Sequence, residues 1–359
     1  MAPEPDRPLR AGIDPLRSGG NPYAELLSDA LTRAGVEVER AQLKPWRLAF
    51  PPAGPGVVHV HWPEFVMVGH GAGARHRAKA TVAALALRLS VRRLQRRGVR
   101  VVWTIHNRRP HDLAAPRAQV ALYPWMARHA DAAIVHTRYA AQVAREALGR
   151  TGPVYLAPHG HYVGAYPPAR GDRDALRARY GFGPDERVLL AFGQVKRYKR
   201  LAALAEELGE RAPAHVRLLV AGSGRDADEA RALREAAARD DRIVFVDERV
   251  ADEDVADLYR LADLAVLNYS EVFSSGALLL ALSQGLAALV PAEGGAGELV
   301  GPPAVFPFAA SPFDVLDDAL AVPAEERRAA AHAAAEEFSW ERAARAHLSA
   351  YTGADADRV

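Results

Sequence analysis

The 359-residue chain contains no cysteine. Disulfides and thiolate metal sites are therefore excluded, and a reducing cytosol is the simple expectation. Long apolar runs are missing as well. No window approaches the roughly 20 uninterrupted apolar residues of a membrane-crossing helix. The opening MAPEPDRPLRAGI lacks the apolar core of a signal peptide. There is no GxGxxG, no Walker-type loop and no HExxH, so no standard dinucleotide site, P-loop or zincin motif is indicated. Acidic residues are absent between Phe65 and His111. That stretch holds Arg75, Arg77, Lys79, Arg88, Arg92, Arg93, Arg96, Arg97, Arg100, Arg108 and Arg109, although the whole chain carries a net charge of only +2.

What is present is ordinary for a globular protein, with 49% hydrophobic and 25% charged residues. Short apolar runs alternate with longer helical patterns. VVHVHW, VRVVWTIH and AAIVHT read as strands, and AKATVAALALRLSVRRLQRRG and RYAAQVAREAL as helices. The alternation restarts with RVLLAFG and continues through VRLLVAG, RIVFVD, LAVLN and LAALVPA. Two such sets predict two doubly wound α/β domains, each a parallel sheet covered by helices on both faces. The Gly- and Pro-rich segment 157–174 predicts the seam. Ser339 reads as the N-cap of a final helix.

In open α/β sheets, ligands bind beyond the carboxyl ends of the strands, so the polar residues there carry the most information. After LAVLN come Glu271, Ser274, Ser275 and Gly276, opening an apolar helix. Small residues leave the helix-terminal N–H groups uncovered for an anion such as a diphosphate. An N-cap serine beside a solvated glutamate is the plainer reading. AFGQVKRYKRLAAL crowds Lys196, Arg197, Lys199 and Arg200 behind Gly193. Cations there oppose the helix dipole unless they face a phosphate or simply form a solvated turn. VAGSG adds Gly222 and Ser223. In the first half, Gly19 and Gly20 follow the first strand, where they would admit a close ligand backbone. His61 and Glu64 follow the second strand, and His106 and Asn107 a later one, with Asp112 nearby. This set favours acid–base chemistry over a scattered structural role. The histidines are too dispersed to indicate a metal site.

These motifs, in this order, resemble those of GT-B glycosyltransferases of the family 4-like group. GGNPYAELLSDALTRAGVEV is similar to that group's first loop and helix, and FGQVKRYKRLAAL to its glycine, lysine and helix. LLVAGSG, DLYRLADLAVLNYSE, GGAGELV and FSWERAARAHLSAY also fit. HVHWPE, TIHN and PHGHYVGAYP resemble a bacterial subgroup concerned with polysaccharide or other glycoconjugate synthesis. The resemblance spans nearly the whole chain. It implies the GT-B fold, two Rossmann-like doubly wound domains facing across a cleft. The expected bodies are an acceptor-binding domain over 1–165, a nucleotide-sugar-binding domain over 166–335 and a helix over 336–359 that crosses back to the first domain.

The resemblance also implies roles. Lys199 would contact the donor diphosphate, with Gly193, Gln194, Lys196, Arg197, Gly222 and Ser223 around it. Ser274, Ser275 and Gly276 would cradle phosphate, while Glu271 would grip the donor sugar. Gly19 and Gly20 would approach the diphosphate from the other domain. Asn21, Tyr23, His61 and Asn107 are expected to meet the acceptor. His106 matches the histidine that faces the reacting centre and is the first candidate for general base, with Glu64 and Asp112 as rivals. Two positions depart from the group's pattern. The second glutamate of many relatives, which binds ribose, aligns with Leu280, and the usual arginine before the lysine is Gln194. Lys196 or Arg197 would supply the missing charge.

The expected function is therefore transfer of a hexosyl group from a nucleotide-sugar donor to a hydroxyl on a polysaccharide, lipid-linked glycan or natural product, without metal or other cofactor. A nucleotide-sugar 2-epimerase and a glycosyltransferase-like partner without catalysis are the alternatives. The expected location is cytoplasmic, with peripheral contact at the anionic inner face of a membrane. The basic stretch from Arg75 to Arg100 carries that last expectation, against the plainer reading of a solvated helix face. No nucleic-acid motif is present.

Overall fold

A computed structural model describes residues 8–14, 21–41, 56–63, 73–110, 117–270, 272–273 and 276–359. Glu64, Asp112, Glu271, Gly19, Gly20, Ser274 and Ser275 lie outside the described residues. The chain divides into two compact units, Met1–Gly160 with Ser339–Val359, and His161–Phe338.

The first unit begins with β1 (Arg10–Asp14), α1 (Tyr23–Arg33), β2 (Glu37–Arg40) and β3 (Val57–Val60). A long helix α2 (Ala74–Arg96) leads to β4 (Arg100–Thr104). Then come α3 (Arg117–Val120), α4 (Leu122–His129), β5 (Ala132–Val135), α5 (Arg138–Glu146) and β6 (Val154–Leu156). The six strands form one sheet in the order β2-β1-β3-β4-β5-β6, every pair parallel. β3 and β5 are buried along their whole length, which explains their continuous apolar runs. The order reverses between β1 and β3. The topological switch point, where open sheets of this kind bind ligands, therefore falls past their carboxyl ends, after which Asn21 and His61 follow in the chain.

The second unit contains α6 (Arg173–Arg179), β7 (Arg187–Phe192), α7 (Leu201–Arg211), β8 (Val216–Ala221), α8 (Ala227–Arg239) and β9 (Ile243–Val246). It continues with α9 (Asp252–Leu261), β10 (Leu264–Val266), α10 (Gly276–Ser283), β11 (Ala288–Pro291), β12 (Val305–Phe308), α11 (Leu316–Ala321) and α12 (Ala324–Glu336). Its sheet is also parallel, in the order β12-β11-β10-β7-β8-β9. This is the dinucleotide-fold order, and its switch point falls between β7 and β10. The core is aliphatic, built from Leu189, Val220, Leu233, Leu264 and Leu289 among others. Arg177 is buried beneath it and pairs with Asp263 at 2.5 Å, while its Nε donates to Leu261 O at 3.0 Å. Those acceptors offset the desolvation of a buried guanidinium. The segment entering α6 is held by Asp257, whose carboxylate accepts from the Arg170 and Gly171 amides.

The final helix, α13 (Trp340–Thr352), belongs to the first unit. The Ser339 side chain caps it by accepting from the Arg342 amide at 3.2 Å, as its sequence predicts. Such a cap contributes about 1 kcal/mol. Trp340, Ala343, Ala344, Ala350 and Tyr351 pack with Tyr23, Leu27 and Leu31 of α1 in one apolar cluster. Arg100 Nε donates to Ala350 O at 2.8 Å. Beyond α13, Arg358 bridges Tyr155 antiparallel, and Val359 donates to Val154 O at 2.9 Å.

Candidate active site

Four neighbouring strands of the first sheet each deliver a histidine just past their carboxyl ends. His61 follows β3, His106 follows β4, His136 follows β5 and His159 follows β6. His59, two residues before His61, shares its side of β3. His347 of α13 completes a set of six buried histidines among the described residues. The Tyr23 ring sits among them, with centroids 5.6 Å from His61, 5.2 Å from His106, 5.7 Å from His136 and 4.6 Å from His159.

Hydrogen bonds fix most of the rings. His59 meets the Tyr351 hydroxyl through Nδ1 at 2.8 Å and the Thr104 hydroxyl through Nε2 at 2.7 Å. His136 Nδ1 donates to Ala157 O at 2.8 Å, which leaves Nε2 to accept from the Tyr23 hydroxyl at 3.4 Å. His159 Nδ1 donates to Gly160 O, and His347 Nδ1 to Ala343 O. His61 Nδ1 and His106 Nε2 lie 3.0 Å apart. That contact needs one N–H and one lone pair, so the tautomer of one ring sets that of the other.

Burial, and secondarily mutual repulsion, keep these rings neutral. It lowers His59, His61 and His106 well below 6.5, and lowers His136 to about 4 and His159 and His347 to about 3. His106 is the most accessible of the set at 9%, and it stacks on Trp62 with centroids 4.5 Å apart. A neutral imidazole at the surface of the cluster can accept a proton. His61 Nε2 and Asn107 Nδ2 are buried without hydrogen-bond partners among the described residues. No group of three or more His, Asp and Glu side chains among the described residues is placed to hold a metal ion.

The structure changes two expectations here. Tyr23 and His61 are buried, so neither presents a surface to an acceptor; both pack against His106 instead. Asn21 remains at the surface, where its side chain accepts from the Tyr23 amide at 3.0 Å.

In the second unit the β7–α7 turn builds the other candidate site. Gly193 has φ +95° and Gly222 φ +152°. A Cβ on Gly222 would lie 2.3 Å from Gly193 O, so the two strand-end loops touch backbone to backbone. Val195 donates to Ser223 O across them at 3.0 Å. A single 3₁₀ turn, Arg197–Lys199, follows, and Arg200 adopts a left-handed conformation at φ +50° before α7 begins. The end of β10 fixes this strained turn. Asn268 Nδ2 donates to Arg200 O at 3.2 Å, and the Ser270 amide donates to Tyr198 O at 2.8 Å.

Lys199 is buried at the switch point. Its Nζ donates to Phe192 O at 3.1 Å and lies 5.5 Å from the Tyr269 ring centroid. It has no carboxylate partner among the described residues. Burial, helped by nearby Lys196, pushes its ammonium down to about 7. Arg197 is different. Its guanidinium lies 3.6 Å from Asp226, the N-cap of α8, and 3.3 Å from Asp228. Of the two residues expected to supply the charge missing at the exposed Gln194, Lys196 or Arg197, the second is thus paired with acids. Leu280 is buried within α10, so any ribose contact comes from elsewhere. Gly276 begins α10 as expected, close in sequence to β10.

Sequence reading missed His59, His136, His159 and His347, along with Asn268 and Tyr269. A strand followed by histidine, repeated four times in succession, is the signal that would have found most of the row.

Comparison with known proteins bears on both sites. Residues 186–335 match the family model described as Glycosyl transferases group 1. Over 300 residues the chain is 28% identical to the GDP-mannose:glycolipid 4-beta-D-mannosyltransferase of Xanthomonas campestris pv. campestris, covering 80% of this chain and 75% of that protein. It is 32% identical to the D-inositol 3-phosphate glycosyltransferase of Nocardia farcinica, over 55% of this chain and 47% of that one. Among solved structures, sucrose-phosphate synthase from Thermosynechococcus elongatus aligns with a TM-score of 0.71 at 19% identity, covering 97% and 99% of the two chains. HepE from Anabaena, solved with UDP-glucose, aligns at 0.66 and 16% identity over 96% and 100%. The fold is GT-B. The chain is thus similar to glycosyl transferases of group 1, among them one named for GDP-mannose, and these relatives do not favour the epimerase reading.

Proposed function

We propose that the enzyme moves a hexosyl group from a nucleotide diphosphate sugar to a hydroxyl of a lipid-linked glycan, a polysaccharide or a natural product. One observation carries the donor half of this reading. Lys199 is a buried cation placed against a helix N-terminus, with no carboxylate beside it among the described residues. Desolvation and the helix dipole both oppose its charge, and a diphosphate offsets both. As the bond between the anomeric carbon and the diphosphate oxygen breaks, negative charge grows on the leaving group. Lys199, Lys196 and helix-terminal N–H groups near Gly276 stabilise it. The reading assigns this work to the protein's own cations and not to a metal.

The acceptor oxygen forms the new bond to the anomeric carbon and loses its proton to His106. With Nε2 engaged by His61, Nδ1 is the atom that takes it. Asn21 and Asn107 line the acceptor side. The roles of Glu271, Ser274, Ser275, Gly19, Gly20, Glu64 and Asp112 rest on the family resemblance alone. The Xanthomonas relative is named for a glycolipid acceptor, which supports a lipid-carried acceptor. A thermal-shift screen with UDP-, GDP- and dTDP-sugars, followed by transfer assays and NMR of the product anomer, tests the proposal. One donor is expected to raise the melting temperature by mass action. No shift and no transfer with any donor would overturn it.

A further inference from the structure

No step of the proposed reaction uses α2. Val82, Leu85 and Leu89 stand 66%, 53% and 70% exposed, and Val120 on the adjoining α3 is 41% exposed. These are four of the six large hydrophobic residues left exposed among the described residues. At about 100° per residue, the three α2 side chains share one arc with Arg75, Arg92, Arg93 and Arg96. The opposite arc, with Ala83, Leu87, Val91 and Leu94, is buried against the unit. The helix therefore has two apolar faces, of which one faces the core and one is ringed by cations. No acidic residue occurs from Phe65 to His111 to balance them.

We propose that this face of α2, with Val120, is the surface on which the enzyme docks to an anionic lipid bilayer. The charge decides between occupants. A second copy would bring the same arginines against these. A lipid surface offers phosphates for the guanidinium groups and an acyl boundary for the leucines in one plane. The aliphatic stripe at the centre, with basic residues towards both ends of the helix, fits a shallow insertion. The proposal rests on the membrane-side acceptor reading for its purpose, but its test needs no catalysis.

The full chain is floated with vesicles of phosphatidylcholine alone, and with vesicles one-third phosphatidylglycerol, at physiological salt. Binding is expected to the anionic vesicles only and to weaken as salt rises. Replacing Arg92, Arg93 and Arg96 together by Gln should weaken it on the order of 100-fold. Leu85→Ser with Leu89→Ser should weaken it about tenfold or more. Both variants alter exposed side chains, so thermal unfolding and turnover of a soluble acceptor should match wild type. Equal flotation with neutral vesicles, or wild-type flotation in both variants, would overturn the proposal. So would a dimer in light scattering that the serine variant dissolves, or tight RNA binding without vesicle binding. Intact vesicle binding in a protein that transfers no sugar would count against the catalytic reading alone.

Discussion

Replacing Lys199 by Met removes one buried charge, and the structure sets the size of the effect. Burial lowers this ammonium from an ordinary 10.5 to about 7. At about 1.4 kcal/mol for each pH unit, holding it charged in the unliganded fold costs on the order of 5 kcal/mol. The folded pKa lies below the unfolded one, so the unfolded chain binds more protons between pH 7 and 10.5. Wild-type stability should therefore rise with pH across that window, and Lys199→Met should flatten the rise while stabilising the unliganded protein by a few kcal/mol. The donor reverses the balance. A diphosphate against Nζ restores the charge, so binding must take up a proton whenever the free group is neutral. At pH 8, with a free pKa of about 7, uptake should approach about 0.9 proton per donor, and affinity should fall up to about tenfold per pH unit above that. Isothermal titration calorimetry in buffers of different ionisation enthalpy reads the uptake directly, and Lys199→Met should show none. Donor binding to wild type without proton uptake, at an affinity flat from pH 7 to 9, would refute the reasoning.

Three further outcomes are expected. His106→Ala should lower kcat by about 10² to 10⁴ and leave donor affinity within a few-fold, because the ring belongs to the first unit's histidine row; steady-state kinetics beside donor titration checks this. The protein should lose stability as pH falls below 6.5, since His136, His159 and His347 are held neutral to about 4, 3 and 3; each withdraws up to about 1.4 kcal/mol per unit, and urea midpoints at pH 7 and 5.5 would expose a flat profile. Gly160→Ala would put a Cβ 2.2 Å from Trp340 Cδ2, and overpacking there should cost about 1–3 kcal/mol, seen as a lower melting temperature with α13 loosened.

Much of the architecture can be read from the chain because parallel strands buried on both faces need unbroken apolar runs. RVLLAF and VRLLVA announce themselves as β7 and β8 in that way. Strand order is another matter. Nothing in the periodicity says that β10 returns beside β7, yet this pairing creates the switch point beside Lys199. The loop chemistry shows the same split. Lys199 stood out by its place after a strand, while the neutralisation of Arg197 depends on acids about 30 positions onward, at the start of α8. His106 was visible beside TIHN. Its partner His61 was visible too, but as an acceptor contact, because burial is not written in a single short motif. The bond between His59 and Tyr351 joins residues 292 positions apart, which only the fold can supply.

The place of α13 has a consequence for how the protein is made. Trp340 and Tyr351 complete the apolar cluster around α1, yet the ribosome delivers them only after all of His161–Phe338 has emerged. The downstream body has every residue it needs in one continuous stretch, whereas the upstream body waits with the flank of α1 bare. Vectorial synthesis usually lets the earlier body fold first; here the later body is the first whose residues are all available, and the α13 partners of Leu27 and Leu31 arrive only after it.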